Sequence, residues 1–273
     1  MTIQPKKQPT SYCLSLAVIM AIILTVAVSA CTLADPRSDV ASAALPGQTA
    51  PRLQNLGNHQ FPVTTNSARA QLFINQGMML TYGFNHAEAT RSFREAARLD
   101  PDCAMAYWGM ALVLGPNINM AMPPEAEPQA YELIQKATAL QNNASEKERA
   151  YIAALSKRYT NAKNPDRNAL DRAYAEAMHE LSARYPDDLD AATLYAEAVM
   201  DLRPWNYWTR DMQPYPETVE VTHVLESVLE RNPNHPGAIH LYIHTVELGH
   251  PELAEAGAER LWQLCLLYTS DAA

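Results

Sequence analysis

The sequence has few of the residues from which most binding and catalytic loops are built. It contains nine glycines in 273 residues, and they form no phosphate-binding loop, dinucleotide fingerprint or nucleophile elbow. Basic residues number 21 against 30 acidic ones, and no stripe of Lys and Arg follows any segment. Because nucleic-acid binding needs a basic surface, we expect no nucleic-acid partner. The missing motifs also leave no enzymatic reaction to assign.

The first thirty residues have the composition of an export signal. Lys6 and Lys7 precede an almost wholly apolar run from Cys13 to Ala30, and small residues lead directly to Cys31. This arrangement resembles a bacterial lipoprotein signal, in which the Cys is lipidated and becomes the new N-terminus. An uncleaved membrane span is the alternative, since eighteen mostly apolar residues nearly cross a bilayer.

The resemblance implies a signal peptide over residues 1–30, a lipid anchor on Cys31 and a location in the cell envelope. Thr32, where some such proteins have Asp, favours the outer membrane. Residues 31–66 then comprise the lipidated Cys and a stretch rich in Ala, Pro, Ser, Gln and Asn. Because this stretch has no apolar period, it predicts a flexible tether.

The C-terminal end interrupts a pattern. Residues 265–273 resemble translated sequencing adapter, and they cut off an amphipathic stretch over 253–264 that has no stop signal. We therefore expect a folded domain over residues 67–264, truncated at its C-terminus and followed by non-native residues. Cys103 is then the one cysteine of that domain, so no internal disulfide is expected.

Apolar residues recur at spacings of three and four throughout the domain, which predicts helices. Within residues 70–103, Gly77, Ala89, Phe93, Ala96 and Pro101 stand at the spacing of the tetratricopeptide (TPR) pattern, a helix–turn–helix repeat of about 34 residues. Small residues let paired helices approach, Phe93 fills the gap between them, and proline ends the second helix.

Similar helix exits recur at Pro186 and Pro233, with a degenerate one near 140–142. The longer spacing between exits places extra residues in the proline-rich loops 115–128 and 203–217. The sequence therefore predicts an all-α fold, a right-handed TPR-like α-solenoid of about four helix pairs with long loops.

In TPR repeats the first helix of each pair lines a concave groove. Counting positions from the three proline exits Pro101, Pro186 and Pro233 places four residues of each following helix toward this groove. Seven of these twelve are the candidate contacts: Trp108, Leu112, Asp190, Glu197, His240, His244 and Glu247. His240, His244 and Glu247 are separated by four and three residues, so they share one face of a helix. A groove with this mixture of aromatic, acidic and imidazole groups is typical of a surface that binds a peptide.

The same spacing has a second interpretation as a metal site. Two His four residues apart, with a carboxylate one turn further, are able to bind a tetrahedral divalent metal such as zinc or copper. His235 is a candidate further ligand. The order of residues lacks the His-Glu-x-x-His arrangement of metalloproteases, so no general base is identified.

Two loops are candidates for ligand contact. Trp205, Tyr207 and Trp208 lie close together in one loop, where they either cover the groove or pack onto the core. The stretch 114–119, Leu-Gly-Pro-Asn-Ile-Asn, either contacts a ligand or ends a helix. The sequence leaves both alternatives open.

The stretches 106–112, 115–119 and 232–247 together resemble one group of bacterial TPR proteins. The resemblance covers residues 68–264 and implies the fold and export, but it supplies no reaction. Three hypotheses follow: a scaffold that binds a peptide or protein in its groove, a metal-binding protein and possibly a hydrolase, or a structural member of an envelope complex. We favour the first.

Overall fold

A computed structural model describes residues 47–264, and every regular element in this range is a helix. The ten α-helices are α1 (Ala68–Tyr82), α2 (His86–Leu99), α3 (Ala104–Leu112), α4 (Ala126–Ala139), α5 (Glu146–Leu155), α6 (Arg167–Arg184), α7 (Leu189–Met200), α8 (Pro216–Arg231), α9 (Pro236–Val246) and α10 (Pro251–Leu264). A single 3₁₀ turn, Gln141–Asn143, separates α4 from α5. None of these helices is long and apolar enough to span a bilayer.

The helix boundaries follow from capping residues in the sequence. Asp188 caps α7 by accepting the backbone N–H of Ala191, and Ser145 and Glu148 form a reciprocal capping box at the start of α5. Pro101, Pro186 and Pro233 each stand two residues beyond the end of a helix, as expected for a residue that cannot extend the hydrogen-bond ladder.

Consecutive helices pack as pairs, and the first pair shows why the repeat pattern requires small residues. Phe93 of α2 is fully buried against Gly77 of α1, where an added Cβ would lie 2.5 Å from the Phe93 ring. Gly109 of α3 lies equally close to the other side of this ring, so Phe93 joins the first pair to the second. Ala89 and Ala96 are buried beside it. The predicted all-α, TPR-like arrangement is confirmed.

The odd-numbered helices, which are the first of each pair, form an inner layer. Helix α3 contacts α1 and α5, while α9 contacts both α7 and α1. Gly237 of α9 lies so close to Tyr82 of α1 that a Cβ would approach its ring to 2.4 Å. The described residues contain five helix pairs where the sequence predicted about four, because residues 251–264 supply the second helix of a fifth pair.

The long loops are held by a buried ion network. Arg158, which follows α5, is 3% exposed and donates to Asp171 of α6 and to Asp201 at the end of α7, at 3.1 and 2.7 Å. It also donates to the carbonyl of Pro116. The 115–119 stretch is therefore a turn that supports the framework: Asn117 pairs with Met120, and Ile118 is buried.

Candidate functional site

An extended segment of the chain itself, residues 47–66, lies against α1 and is held through its main chain. Gln71 and Asn75 of α1 accept the N–H groups of Val63 and Phe61 at 2.9 and 3.0 Å, and Gln71 also donates to the Phe61 carbonyl. Gln76, the residue after Asn75, accepts the N–H of Leu53. The amide side chains of this helix thus bind an extended backbone.

Three carboxylates on other helices hold the same segment. Glu95 accepts the N–H of Thr49, Glu148 that of Thr64, and Asp100 that of Asn66, at 2.8, 2.5 and 3.0 Å. The structure therefore differs from the predicted flexible tether over residues 47–66. Residues 47–66 form hydrogen bonds with α1, α2, the end of α2 and α5. A pattern of apolar residues does not reveal such bonds.

Phe61 is the aromatic anchor of this segment. Its ring stacks on Trp108 of α3 with 5.7 Å between centroids and 4° between planes, and it meets Tyr151 of α5 edge-on. Trp108 is 1% exposed, and Leu112, one turn further along α3, is also buried. The two predicted groove residues of α3 lie on the inner layer but form part of the core. The groove at this point is filled by the chain's own segment.

Asp190, a further predicted groove residue, lies at the start of α7 among three donors. His59 of the segment and Tyr82 of α1 contact its Oδ1 at 2.9 and 2.5 Å, and His235 lies 3.3 Å away. Burial disfavours the charged form of this carboxyl, but the two imidazoles outweigh that effect and hold its pKa below the usual value. Asp190 thus links the segment to α1, α7 and α9.

The ligand-type atoms of His59, Asp190 and His235 lie within 4.8 Å of one another, which is compatible with a metal ion. However, His235 caps α9 by accepting the N–H of Ala238 on Nδ1, so a neutral ring carries its proton on Nε2. A metal on Nε2 would displace that proton and break the cap. The donor arrangement favours a hydrogen-bonded carboxylate. A polar cavity of about 500 Å³ adjoins this cluster.

Glu197 lies two turns beyond Asp190 and one turn beyond Thr193 on α7, within the same inner layer. Burial and the neighbouring charge of Asp201 raise the pKa of Glu197 to about 8. Burial raises the pKa of Asp201 as well, although its ion pair with Arg158 opposes that shift.

The predicted metal ligands of α9 do not converge on one point. His240 Nδ1 donates to the Tyr82 carbonyl at 2.6 Å, and its Nε2 faces His244 Nε2 at 3.0 Å. Glu247 contacts Nδ1 of His244, on the opposite side of that ring. Burial and the nearby His244 lower the pKa of His240 to about 4. Since His240 Nδ1 donates to Tyr82, its Nε2 accepts a hydrogen bond from His244. Glu247 is therefore a hydrogen-bond partner of His244, and the three predicted metal ligands do not share one site.

His244 and Glu247, at the end of α9, meet the 203–215 loop and form a pocket with it at the edge of the inner layer. We call it the rim pocket: a cavity of about 300 Å³ lined by Trp205, Tyr207, Trp208, His244, Glu247 and Leu248. Tyr207 and Trp208 are buried, whereas Trp205 is 50% exposed and Leu248 59%. Two rings of the aromatic loop thus pack on the core, whereas ligand contact by the third, Trp205, stays a prediction.

Several residues of these sites were not among the sequence-based candidates. His59, Phe61, Tyr82 and Leu248 contribute to the inner layer or the rim pocket, yet none lies in a repeat position assigned to the groove. Cys103, the free cysteine within the described range, is buried, and burial raises the pKa of its thiol to about 11. The predicted lipid site Cys31, the signal sequence and residues 265–273 lie outside the described residues.

Comparison with known proteins gives only distant structural likenesses. No protein-family model matches the chain, and no curated protein matches it. The crystal structure of YrrB, described as a TPR protein with an unusual peptide-binding site, is 15% identical with a TM-score of 0.35, over 73% of this chain and 90% of that one. The MamA protein is 13% identical with a TM-score of 0.33, over 71% and 91%.

Proposed function

We propose that the chain is a binding scaffold for a protein partner, and that the partner docks at the rim pocket. The observation that carries this proposal is the exposure of Trp205 and Leu248 around one cavity at the edge of the inner layer. Large apolar side chains grouped at one exposed place are typical of protein interaction sites. The neighbouring loop adds Leu202 and Met212, both more than 40% exposed.

The inner layer supports the same proposal in a different way. Of the seven predicted groove residues, Trp108 is covered by Phe61, Leu112 is buried, and Asp190 is bonded to His59. Glu247 is exposed and His244 partly so, and both line the rim pocket. The proposed contact surface is therefore the edge of the inner layer.

Site-specific photo-crosslinking in the native host tests this proposal. A photoreactive residue at position 205 or 248 is expected to give an adduct of one discrete mass, since both positions line the same pocket. The matched control is position 176, an exposed Glu on α6. Adducts from 176 alone would indicate a structural member of a complex bound through its outer surface. No adduct from 205 or 248, or equal adducts from all three, would contradict the proposal.

The anchor is a separate part of the proposal. We infer from the resemblance of residues 1–31 to a lipoprotein signal that the scaffold is exported and attached to an envelope membrane through Cys31. Labelled palmitate is expected to enter the wild-type chain and to be absent from Cys31→Ser, with the variant recovered in the soluble periplasmic fraction. Labelling of Cys31→Ser, or firm membrane retention of it, would favour an uncleaved span.

A further inference from the structure

The rim pocket has walls of two chemical kinds. Three aromatic side chains, from Trp205, Tyr207 and Trp208, lie on one loop, and the carboxylate of Glu247 lies at the end of α9. Leu248 completes the wall. Among the described residues that line the pocket, none is Lys or Arg. The nearby Arg203 places its guanidinium 4.1 Å from the Tyr215 ring centroid.

The back wall of the pocket is fixed before any ligand arrives. Trp208 donates from Nε1 to the Thr245 carbonyl at 2.9 Å, and its ring lies so close to Gly249 that a Cβ there would approach it to 2.4 Å. The loop around it is closed by hydrogen bonds from Tyr215 N to the Tyr207 carbonyl and from Thr209 N to the Gln213 carbonyl. A preformed wall of this kind lowers the entropy lost on binding.

Trp205 forms the solvent-exposed front of the pocket. Its ring meets His244 edge-on with 5.0 Å between centroids, and half of its surface is exposed. Its backbone has φ of 59°, in the left-handed region that is strained for a bulky residue. Strained bulky residues that remain exposed occur at binding sites more often than elsewhere.

We propose that the rim pocket binds an organic cation, either a quaternary ammonium group or the charged end of a Lys or Arg side chain. Indole and phenol rings attract a cation through the negative face of the π system, and Trp gives the strongest attraction. Glu247 adds a carboxylate at the same wall, and only its Oε1 is engaged by His244. The source of the cation is a side chain of the proposed protein partner, so this inference extends the proposed function.

His244 competes with a cation here, because its ring lines the pocket and its Nδ1 engages Oε1 of Glu247. The structure therefore assigns opposite roles to two neighbouring residues. Removing the Glu247 charge is expected to weaken cation binding, and replacing His244, which releases that carboxylate, is expected to strengthen it. A pocket that only fills space for an apolar ligand would show neither change.

The test is a titration of the purified full-length chain, followed by tryptophan fluorescence and calorimetry. Choline is compared with 3,3-dimethylbutan-1-ol, its neutral isostere, and we expect choline to bind about tenfold more tightly, as a desolvated cation–π contact gives. Trp205→Ala and Glu247→Gln are expected to weaken choline binding at least about fivefold, and His244→Gln to strengthen it severalfold.

Matched controls exist in the last repeat. Trp262 is 60% exposed on α10, so Trp262→Ala removes an exposed indole outside the pocket. Glu252 is paired with His250 at 3.1 Å, so Glu252→Gln removes the same kind of His–carboxylate contact elsewhere. Both variants are expected to bind choline like the wild type. Their unfolding curves and those of the pocket variants establish that each protein is folded.

Equal binding of choline and its isostere, no binding of any cation, or loss of binding in the control variants would overturn the proposal. Nα-acetyl-lysine amide, its trimethylated form and Nα-acetyl-arginine amide distinguish the sources of the cation. Tighter binding of the amino-acid derivatives than of choline supports a partner's side chain, and the reverse supports a free quaternary ammonium compound. Adducts at position 205 without cation binding would retain the partner and reject only its charge.

Discussion

The inner layer and the rim pocket are built from similar residues but differ in their exposure to solvent. Each contains aromatic rings and a His–carboxylate contact, yet the rings of the inner layer are covered by residues 47–66 while Trp205 at the rim remains half exposed. In the inner layer, His59 binds Asp190 and Phe61 covers Trp108. The difference teaches that residue type and repeat position identify the layer, whereas the path of the preceding segment decides which part of it stays open.

The largest expected effect on stability lies outside both regions, in the buried ion network. Arg158→Met leaves Asp171 and Asp201 buried beside an apolar side chain, and it is expected to lower the free energy of unfolding by about 3–5 kcal/mol. Arg184→Met removes an exposed ion pair with Glu146 and is expected to cost about 0–1 kcal/mol. Urea unfolding of both variants measures the contrast. Equal losses would show that Arg158 contributes no more than a surface charge.

Phe61→Ala tests whether residues 47–66 are part of the folded structure. Removal of a buried phenyl ring that stacks on Trp108 is expected to cost about 3–5 kcal/mol, because it combines lost burial with a cavity. The exposed Gln54, changed to Ala, is the control within the same segment and should change stability by less than about 0.5 kcal/mol. Hydrogen exchange at the amides of Val63 and Thr64 should accelerate in the first variant only. Fast exchange at these two amides already in the wild type would support the flexible tether.

Glu197→Gln tests the protonation of the inner layer. The pKa of Glu197 is raised to about 8, above its unfolded value, so the folded state keeps a proton that the unfolded chain releases at neutral pH. The stability from this group is fully present below its unfolded pKa and is lost as pH rises through about 8.

The substitution removes this dependence. Glu197→Gln is therefore expected to gain stability relative to wild type between pH 5 and pH 9, by about 1–5 kcal/mol at the upper end. Unfolding midpoints measured across this range check the trend, with Glu176→Gln on α6 as an exposed control. A constant difference between Glu197→Gln and wild type at all pH values would contradict the raised pKa.

The helices were predictable because their signals are local. Gly77 and Phe93, on the two helices of the first pair, determine how that pair packs. The proline exits end three second helices where the sequence indicates. The helices that carry Trp108, Asp190 and His240 were also predictable as first helices of their pairs. That these side chains face an open groove stays a prediction, since Trp108 and His240 are buried. These inferences need only the period of a helix and the phase set by a proline.

The occupants of the inner layer were not predictable from such signals. Residues 47–66 are held mainly by side-chain bonds to single backbone groups, from Gln71, Asn75 and Glu148 among others, and such bonds leave no period in the sequence. The geometry of Glu247 was missed for a related reason. That His244 and Glu247 share one face of a helix does not determine which nitrogen of His244 the carboxylate reaches, because this depends on the rotamers of both side chains.

The smallest expected effect on stability lies at the rim and separates binding from folding most sharply. Trp205→Ala removes a half-exposed ring but keeps the left-handed backbone, so its cost should stay within about 0.5 kcal/mol. Trp205→Gly also relieves the backbone strain, and it is expected to be more stable than Trp205→Ala by about 1 kcal/mol. Thermal unfolding of the two variants measures this difference. Equal stability of the two variants would show that the loop adopts another backbone in solution. If Trp205→Gly instead exceeded the wild type in stability but lost choline binding, the indole would be retained at a strained position for its contact with a ligand.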